Sequence, residues 1–138
     1  MADEIDVKLV HMLSRNSDLT NAELAKSLHL TEGSIRSRKK RLKAERVILG
    51  YSTRARYQLL DEVQMLTGLD IMPEKFREVL SRLSKIEEIS ELYATSGDHV
   101  AIFVAVVPSQ RVNSFISGIE RIEGIRKVYP SLVQEVLK

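Results

Sequence analysis

Between positions 36 and 46 the chain carries Arg36, Arg38, Lys39, Lys40, Arg41, Lys43 and Arg46, opposed only by Glu45. Seven cations within 11 residues can neutralise phosphate, and side chains of this kind also reach the edges of bases. The rest of the chain does not share this bias. Residues 1–56 hold 12 Lys/Arg and 7 Asp/Glu, a net of +5, whereas residues 57–138 hold 9 and 12, a net of −3. Such an asymmetry within one chain suggests that one part faces a polyanion and the other does not. A run of charge can equally be a solvated helix face, so the flanking elements must decide.

Other chemistry is poorly represented. The chain has no cysteine, which excludes disulfides, thiolate metal sites and cysteine nucleophiles. Its three histidines, His11, His29 and His99, are far apart, and no phosphate loop, metal-ligand spacing or nucleophile elbow accompanies them. No catalytic residue, metal site or cofactor is therefore expected. No apolar run is long enough to span a bilayer, and the acidic start, Met1-Ala-Asp-Glu-Ile-Asp6, is not a signal peptide. The expected location is cytoplasmic, with no membrane partner.

The elements around the basic run read as three helices. The first is expected over Glu4 to Arg15, with Ile5, Leu9, Met12 and Leu13 on one stripe and acidic residues in its first turn. Thr20-Asn-Ala-Glu23 is a capping box opening a short second helix with Leu24, Ala25 and Leu28. A tight turn at His29-Leu30 leads to Thr31, the N-cap of a third helix running to about Glu45. With Ile35 pointing inward and about 100° per residue, Leu42 lies in line and Lys39 beside it. Gly33, Ser34, Ser37, Lys40 and Arg41 then fall on the opposite side, with Arg36 at its flank. Arg38 lies nearer the core, where it would orient the helix or hold a phosphate. Small residues beside clustered cations allow close approach to base edges. The second and third helices thus form a helix-turn-helix in outline, and double-stranded DNA is the expected partner. Val47 to Thr53 reads as a strand with a glycine irregularity, making the domain a winged one. Arg54 and Arg56 then serve either a basic ribbon or an ordinary linker.

The second half is written twice. Residues 64–96 and 100–132 repeat at an offset of 36: Phe76, Val79, Leu80, Leu83 and Ile86 correspond to Val112, Phe115, Ile116, Ile119 and Ile122. That spacing is a buried helical stripe. Each helix begins near a proline, Pro73 or Pro108. Each follows an apolar segment, Val63 to Ile71 or Val100 to Val107, and precedes a strand-like run, Ile89 to Thr95 or Ile125 to Val136. The order is β-α-β-β-α-β, the ferredoxin-like arrangement, giving an α+β chain. Val100 to Val107 is apolar without alternation, so both its faces are expected to be covered. With helices for one face only, a second copy of the chain is the economical cover, and a sheet-to-sheet homodimer is expected. The expected divisions are a DNA-binding domain over 1–52, a linker strand over 53–62 and an oligomerisation and sensing domain over 63–138. Between the central strands, Ser96, Gly97, Asp98 and His99 form a turn that could also hold a small zwitterion.

Laid out in this way, the whole chain resembles the Lrp/AsnC, or feast/famine, family of transcription regulators. The resemblance rests on Asp3-Glu-Ile-Asp6, Leu24-Ala25, Leu30-Thr-Glu-Gly-Ser-Ile-Arg-Ser-Arg38, Arg41-Leu42 and Val47-Ile-Leu-Gly-Tyr51. It continues in the repeat order and in Ser96-Gly97-Asp98. It implies dimers assembling into larger rings such as octamers, and an amino-acid effector bound between dimers near Ser96 to His99. It also implies that Arg38 is the arginine typical of the recognition helix, with Ser34, Arg36, Ser37 and Arg41 matching its neighbours. Three positions depart from the family pattern. Arg46 stands where glycine is usual, Val100 replaces a second acidic residue after Gly97-Asp98, and Gln58-Leu-Leu-Asp-Glu-Val63 replaces a glycine-containing approach to the sheet. Two other functions compete: an architectural protein coating DNA with little sequence preference, and an enzyme like the tetrapyrrole decarboxylases of related fold.

Overall fold

A computed structural model describes all 138 residues. They divide into two compact units, Met1–Arg54 and Ala55–Lys138. The first unit holds α1 (Glu4–Arg15), α2 (Asn21–Leu28) and α3 (Glu32–Ala44). Each helix starts at the cap its sequence supplies. Thr20 accepts from the Glu23 amide while the Glu23 carboxylate accepts from the Thr20 amide, and the Thr31 hydroxyl accepts from the Ser34 amide. Asp3 and Asp6 form a further capping box on α1. His29 closes α2 in the left-handed region, with φ 56°. The core gathers one stripe from each helix: Leu9 and Leu13, Leu24 and Ala25, Ile35 and Leu42.

The expected strand and wing over Val47 to Thr53 do not form, and residues 53–62 hold no strand before Glu62. β-branched and aromatic residues favour a strand only where a neighbouring strand completes the ladder, and this unit contains none. Instead the chain folds back over the end of α3. The Val47 and Arg46 amides donate to the carbonyls of Leu42 and Lys43, at 2.9 and 3.0 Å. These two bonds make a Schellman ending. Arg46, at φ 61°, occupies the left-handed position where glycine is the low-energy choice. Tyr51 then lies beneath the Lys39 and Lys43 ammonium groups, 5.6 and 4.7 Å from its ring centre.

The second unit is a four-stranded antiparallel sheet, order β2-β3-β1-β4, with two helices. It runs β1 (Glu62–Ile71), α4 (Phe76–Leu83), β2 (Ile89–Ala94), β3 (Ala101–Pro108), α5 (Val112–Glu120) and β4 (Ile125–Leu132). The repeat is realised in α4 and α5, and likewise in β2 and β4, which begin 36 positions apart, while β1 starts earlier than its counterpart β3. A single 3-10 turn precedes each helix, beginning at Pro73 in the first and just after Pro108 in the second. At the entry to β1, Asp61 adopts φ 56°, and its carbonyl accepts from both the amide and the hydroxyl of Ser109. Aspartate tolerates this conformation better than most residues, so it serves here in place of the usual glycine.

In β3 the two faces differ. Ala101, Phe103, Ala105 and Val107 are sealed against the helices, while Ile102, Val104 and Val106 on the opposite face are only half-buried. The continuous apolar run therefore does not mean that this chain covers both faces. On the core side Phe103 meets Phe115 edge-on, with centroids 6.2 Å apart.

The strained C-cap generates a prediction. Arg46→Gly should stabilise the first unit by about 0.5–1 kcal/mol, the left-handed cost less the entropy glycine adds to the unfolded chain. Urea unfolding followed by circular dichroism measures it. A destabilised variant would show that the Arg46 side chain contributes more than its backbone costs.

Candidate nucleic-acid interface and sheet-edge loop

α3 carries the basic run, and the structure sorts its side chains into two sets. Arg36, Ser37 and Lys40 are exposed together, with Gly33 beside them and Ser34 half-buried at the start of the helix. Lys43 is also exposed. The second set is engaged within the unit. Lys39 donates to the Asn21 amide oxygen at 3.0 Å. Arg38 donates from Nη1 to both carboxylate oxygens of Asp3, at 2.9 and 2.8 Å, and to Asp6 Oδ1 at 2.8 Å. Arg41 donates from Nη2 to Asp6 Oδ2 at 2.6 Å and from Nη1 to Glu45 at 3.3 Å.

The expected outward placement of Arg41 is therefore corrected. Its guanidinium turns toward α1, because Arg41 lies only about 60° further round the helix than Arg38 on the same flank. Asp6 is the residue that sequence reasoning missed. Its side chain is 0% exposed, although a place in an acidic first turn suggests a solvated carboxylate. A signal was present: Asp6, Leu9 and Leu13 share one i, i+3, i+7 stripe, as do Ile35, Arg38 and Leu42. One carboxylate and one guanidinium, each on an apolar stripe, mark a buried pair.

The electrostatics follow from this geometry. Burial alone pushes the Asp6 carboxyl up, but bonds from Arg41, from the Asp3 amide and from Arg38 outweigh it. Together they hold Asp6 well below the usual carboxylate range. The Arg38 hydrogen bond, with that of the Asp6 amide, likewise lowers Asp3. Both arginines are raised in turn, chiefly by hydrogen bonds to these carboxylates.

In the second unit, Ser96, Gly97, Asp98 and His99 lie in the turn joining β2 to β3, as expected. Gly97 sits at φ 116°, a conformation side chains rarely allow. Ser96 and Asp98 are exposed. Thr95 closes the loop, its amide donating to the Val100 carbonyl and its hydroxyl to the His99 carbonyl at 2.6 Å. His99 leaves the loop and lies over the sheet. A Cβ on Gly68 would come within 2.6 Å of its ring, which also meets Tyr129 with centroids 4.8 Å apart. His99 Nδ1 is buried there without a hydrogen-bond partner. Nearby on β2, the Tyr93 hydroxyl donates to the Glu91 carboxylate, which raises the phenol above its ordinary range. No group of His, Asp and Glu side chains could hold a metal ion, and no helix is long and apolar enough to cross a membrane.

Comparison with known proteins assigns both units. Residues 3–43 match the AsnC-type helix-turn-helix domain, and residues 64–138 match the Lrp/AsnC ligand binding domain. The chain belongs to the Lrp/AsnC family. It is a DNA-binding transcriptional regulator and not an enzyme. The transcriptional regulator LrpA of Pyrococcus horikoshii is 34% identical over the whole of both chains. Ptr1 of Methanocaldococcus jannaschii is 32% identical, over 94% of this chain and 84% of that one. The crystal structure of PH0061 superposes with a TM-score of 0.85 at 27% identity, covering 100% of this chain and 96% of that one. The leucine response regulatory protein of Mycobacterium tuberculosis, at 22% identity and a TM-score of 0.77, shares the fold across 99% of this chain and 95% of that one. Within this Lrp/AsnC regulator, the helix-turn-helix domain takes in α1, α2 and most of α3.

The Asp6 cluster makes the first unit acid-sensitive. Because the folded carboxyl is held below its unfolded value of about 3.9, its contribution is complete above that pH and drains away below it. At neutral pH, Asp6→Asn should cost about 2–3 kcal/mol, since the arginines left behind are partly solvated. Below about pH 4 the gap between wild type and variant should narrow by about 1.4 kcal/mol per pH unit. Urea titrations at pH 7 and pH 3 test this. An unchanged gap would mean that the charge of Asp6 is not what stabilises the unit.

Proposed function

We propose that this regulator recognises particular DNA sequences and responds to an amino acid or related small metabolite. The observation that carries the first part is the joint exposure of Arg36, Ser37 and Lys40 on α3, next to Gly33 and Ser34. Cations at i and i+4 flank a short polar side chain, the composition needed for phosphate anchoring beside base-edge hydrogen bonds. In this reading Ser34, Arg36, Ser37 and Lys40 meet DNA, while Arg38 and Arg41 act from behind.

Oligomerisation is supported by the second face of the sheet. Leu66, Ile102, Val104 and Val106 form its apolar centre, Tyr93 and Tyr129 flank it, and neither α4 nor α5 covers it. A second copy laid sheet to sheet would bury this surface and give a homodimer, which further assembles, as in an octamer. An effector site at Ser96, Gly97, Asp98 and His99, between dimers, is supported by the exposed Asp98 carboxylate and the open Gly97 backbone. The match of residues 64–138 to a ligand binding domain supports a ligand in this unit. A regulator of this kind works in the cytoplasm, where its DNA is.

The experiment that tests the reading is selection of genomic fragments by the purified protein at physiological salt, with and without a mixture of amino acids. Enrichment of a pseudo-palindrome altered by one amino acid supports the whole proposal. Enrichment that no amino acid alters leaves the loop as a turn only, and binding without preference favours the architectural alternative. Within it, Arg36→Ala should weaken the selected site by about 1–3 kcal/mol in a binding titration; equal affinity would remove Arg36 from the base contacts. Asp98→Ala should leave DNA affinity intact and abolish the amino-acid response, measured by calorimetry and by the same titration. A retained response would place the ligand elsewhere.

A further inference from the structure

Asp6 is a costly residue for the place it occupies. It lies on α1, it is fully buried, and both its oxygens are filled: Oδ1 by Arg38, Oδ2 by Arg41 and by the Asp3 amide at 2.9 Å. A buried carboxylate held by arginines gains little stability over a well-packed apolar cluster, because the desolvation penalty offsets the attraction. Its distinctive property is direction. The remaining contacts among Leu9, Leu13, Ile35 and Leu42 are apolar and non-directional, so they tolerate a small rotation of α3 about its axis. Charge-assisted hydrogen bonds from two guanidiniums do not. The Arg38 and Arg41 guanidiniums end on the flank facing α1, while Arg36, Ser37 and Lys40 lie on the exposed side. Fixing the first pair therefore fixes where the second set points.

We propose that Asp6 is the positioning residue for DNA reading, clamping the rotation of α3 through Arg38 and Arg41 so that Arg36, Ser37 and Lys40 meet the base edges. The inference rests on the sequence-selective reading above. It makes Arg38 and Arg41 internal struts. Asp3, Asp6 and Glu45 supply three carboxylates against their two charges, so the pair adds nothing to phosphate neutralisation. The opposite arrangement, in which DNA draws the arginines away, would leave a buried carboxylate with the Asp3 amide alone as its partner.

The two arrangements predict effects of opposite sign. Wild type, Asp6→Asn and Arg41→Lys are titrated over a range of salt with a duplex that wild type selects from a randomised library, and with the unselected pool. Asp6→Asn should lower affinity for the selected duplex by about 10- to 100-fold while affinity for the pool holds or rises. Arg41→Lys, which keeps the charge but loses the fork, should show the same selective loss. A parallel fall on both duplexes would reflect lost folding alone and overturn the proposal. So would tighter binding to both with a salt slope steeper by about one or two phosphates, which would make the arginines DNA contacts. If amide exchange over α1 and α3 shows Asp6→Asn unfolded, Arg41→Lys decides: selective loss supports the clamp and full retention overturns it. A wild type without sequence preference overturns both the clamp and the reading it rests on. A wild-type preference that both variants share overturns the clamp alone.

Discussion

The carboxylate of Asp6 binds two helices that are distant in sequence into one object. Arg38 reaches it across 32 positions and Arg41 across 35, so the first turn of α1 and the middle of α3 are tied by directed bonds as well as apolar contact. The tie reaches further at each end. Asp6 accepts from the Asp3 amide and Asp3 from the Asp6 amide, so the group that receives the arginines also caps α1. Arg41 passes on to Glu45, the last residue before the Schellman turn. The start of one helix and the end of another are joined through a single buried anion. The small core of this unit rests on that arrangement: a lone unpaired charge in its place would cost several kcal/mol.

Much of this architecture was legible beforehand, for reasons that differ between the units. The sheet unit announces itself because its apolar stripe is written twice at one offset, and chance does not repeat a pattern together with its proline. The helix-turn-helix was legible through its caps, Thr20 with Glu23 and Thr31, since a side-chain oxygen placed before an apolar run has a specific use there. Val47 to Thr53 misled because its residues suit a pleated surface, while a strand also needs a partner that the sequence of this stretch does not contain. Arg41 misled for a geometric reason. A helical wheel records where a side chain leaves the backbone, and a long arginine ends elsewhere. Asp6 was hidden by reading acidic residues at a helix start as dipole partners, when its stripe position already placed it inward.

The two units manage charge in contrasting ways. In the helical unit the surplus cations are divided between an inner set held by carboxylates and the Asn21 amide and an outer set on the exposed side of α3. In the sheet unit, ion pairs such as Lys75 with Glu123 and Arg111 with Glu88 lie at the surface. Exposed pairs of this kind contribute little, about 0–1 kcal/mol. Stability there comes from Phe103, Phe115, Leu69, Leu83 and their neighbours, which leaves its loops and its second face free to vary without weakening the fold.

His99 belongs to a loop by sequence and to the sheet by position. Its ring rests on Gly68 of β1 and against Tyr129 of β4, two and three strands away from β2, where the turn that carries it begins. The loop therefore has a foot planted in the middle of the surface it borders. Any displacement of the turn lifts or drags that foot, and the relief of the sheet face changes with it, without any strand having to move.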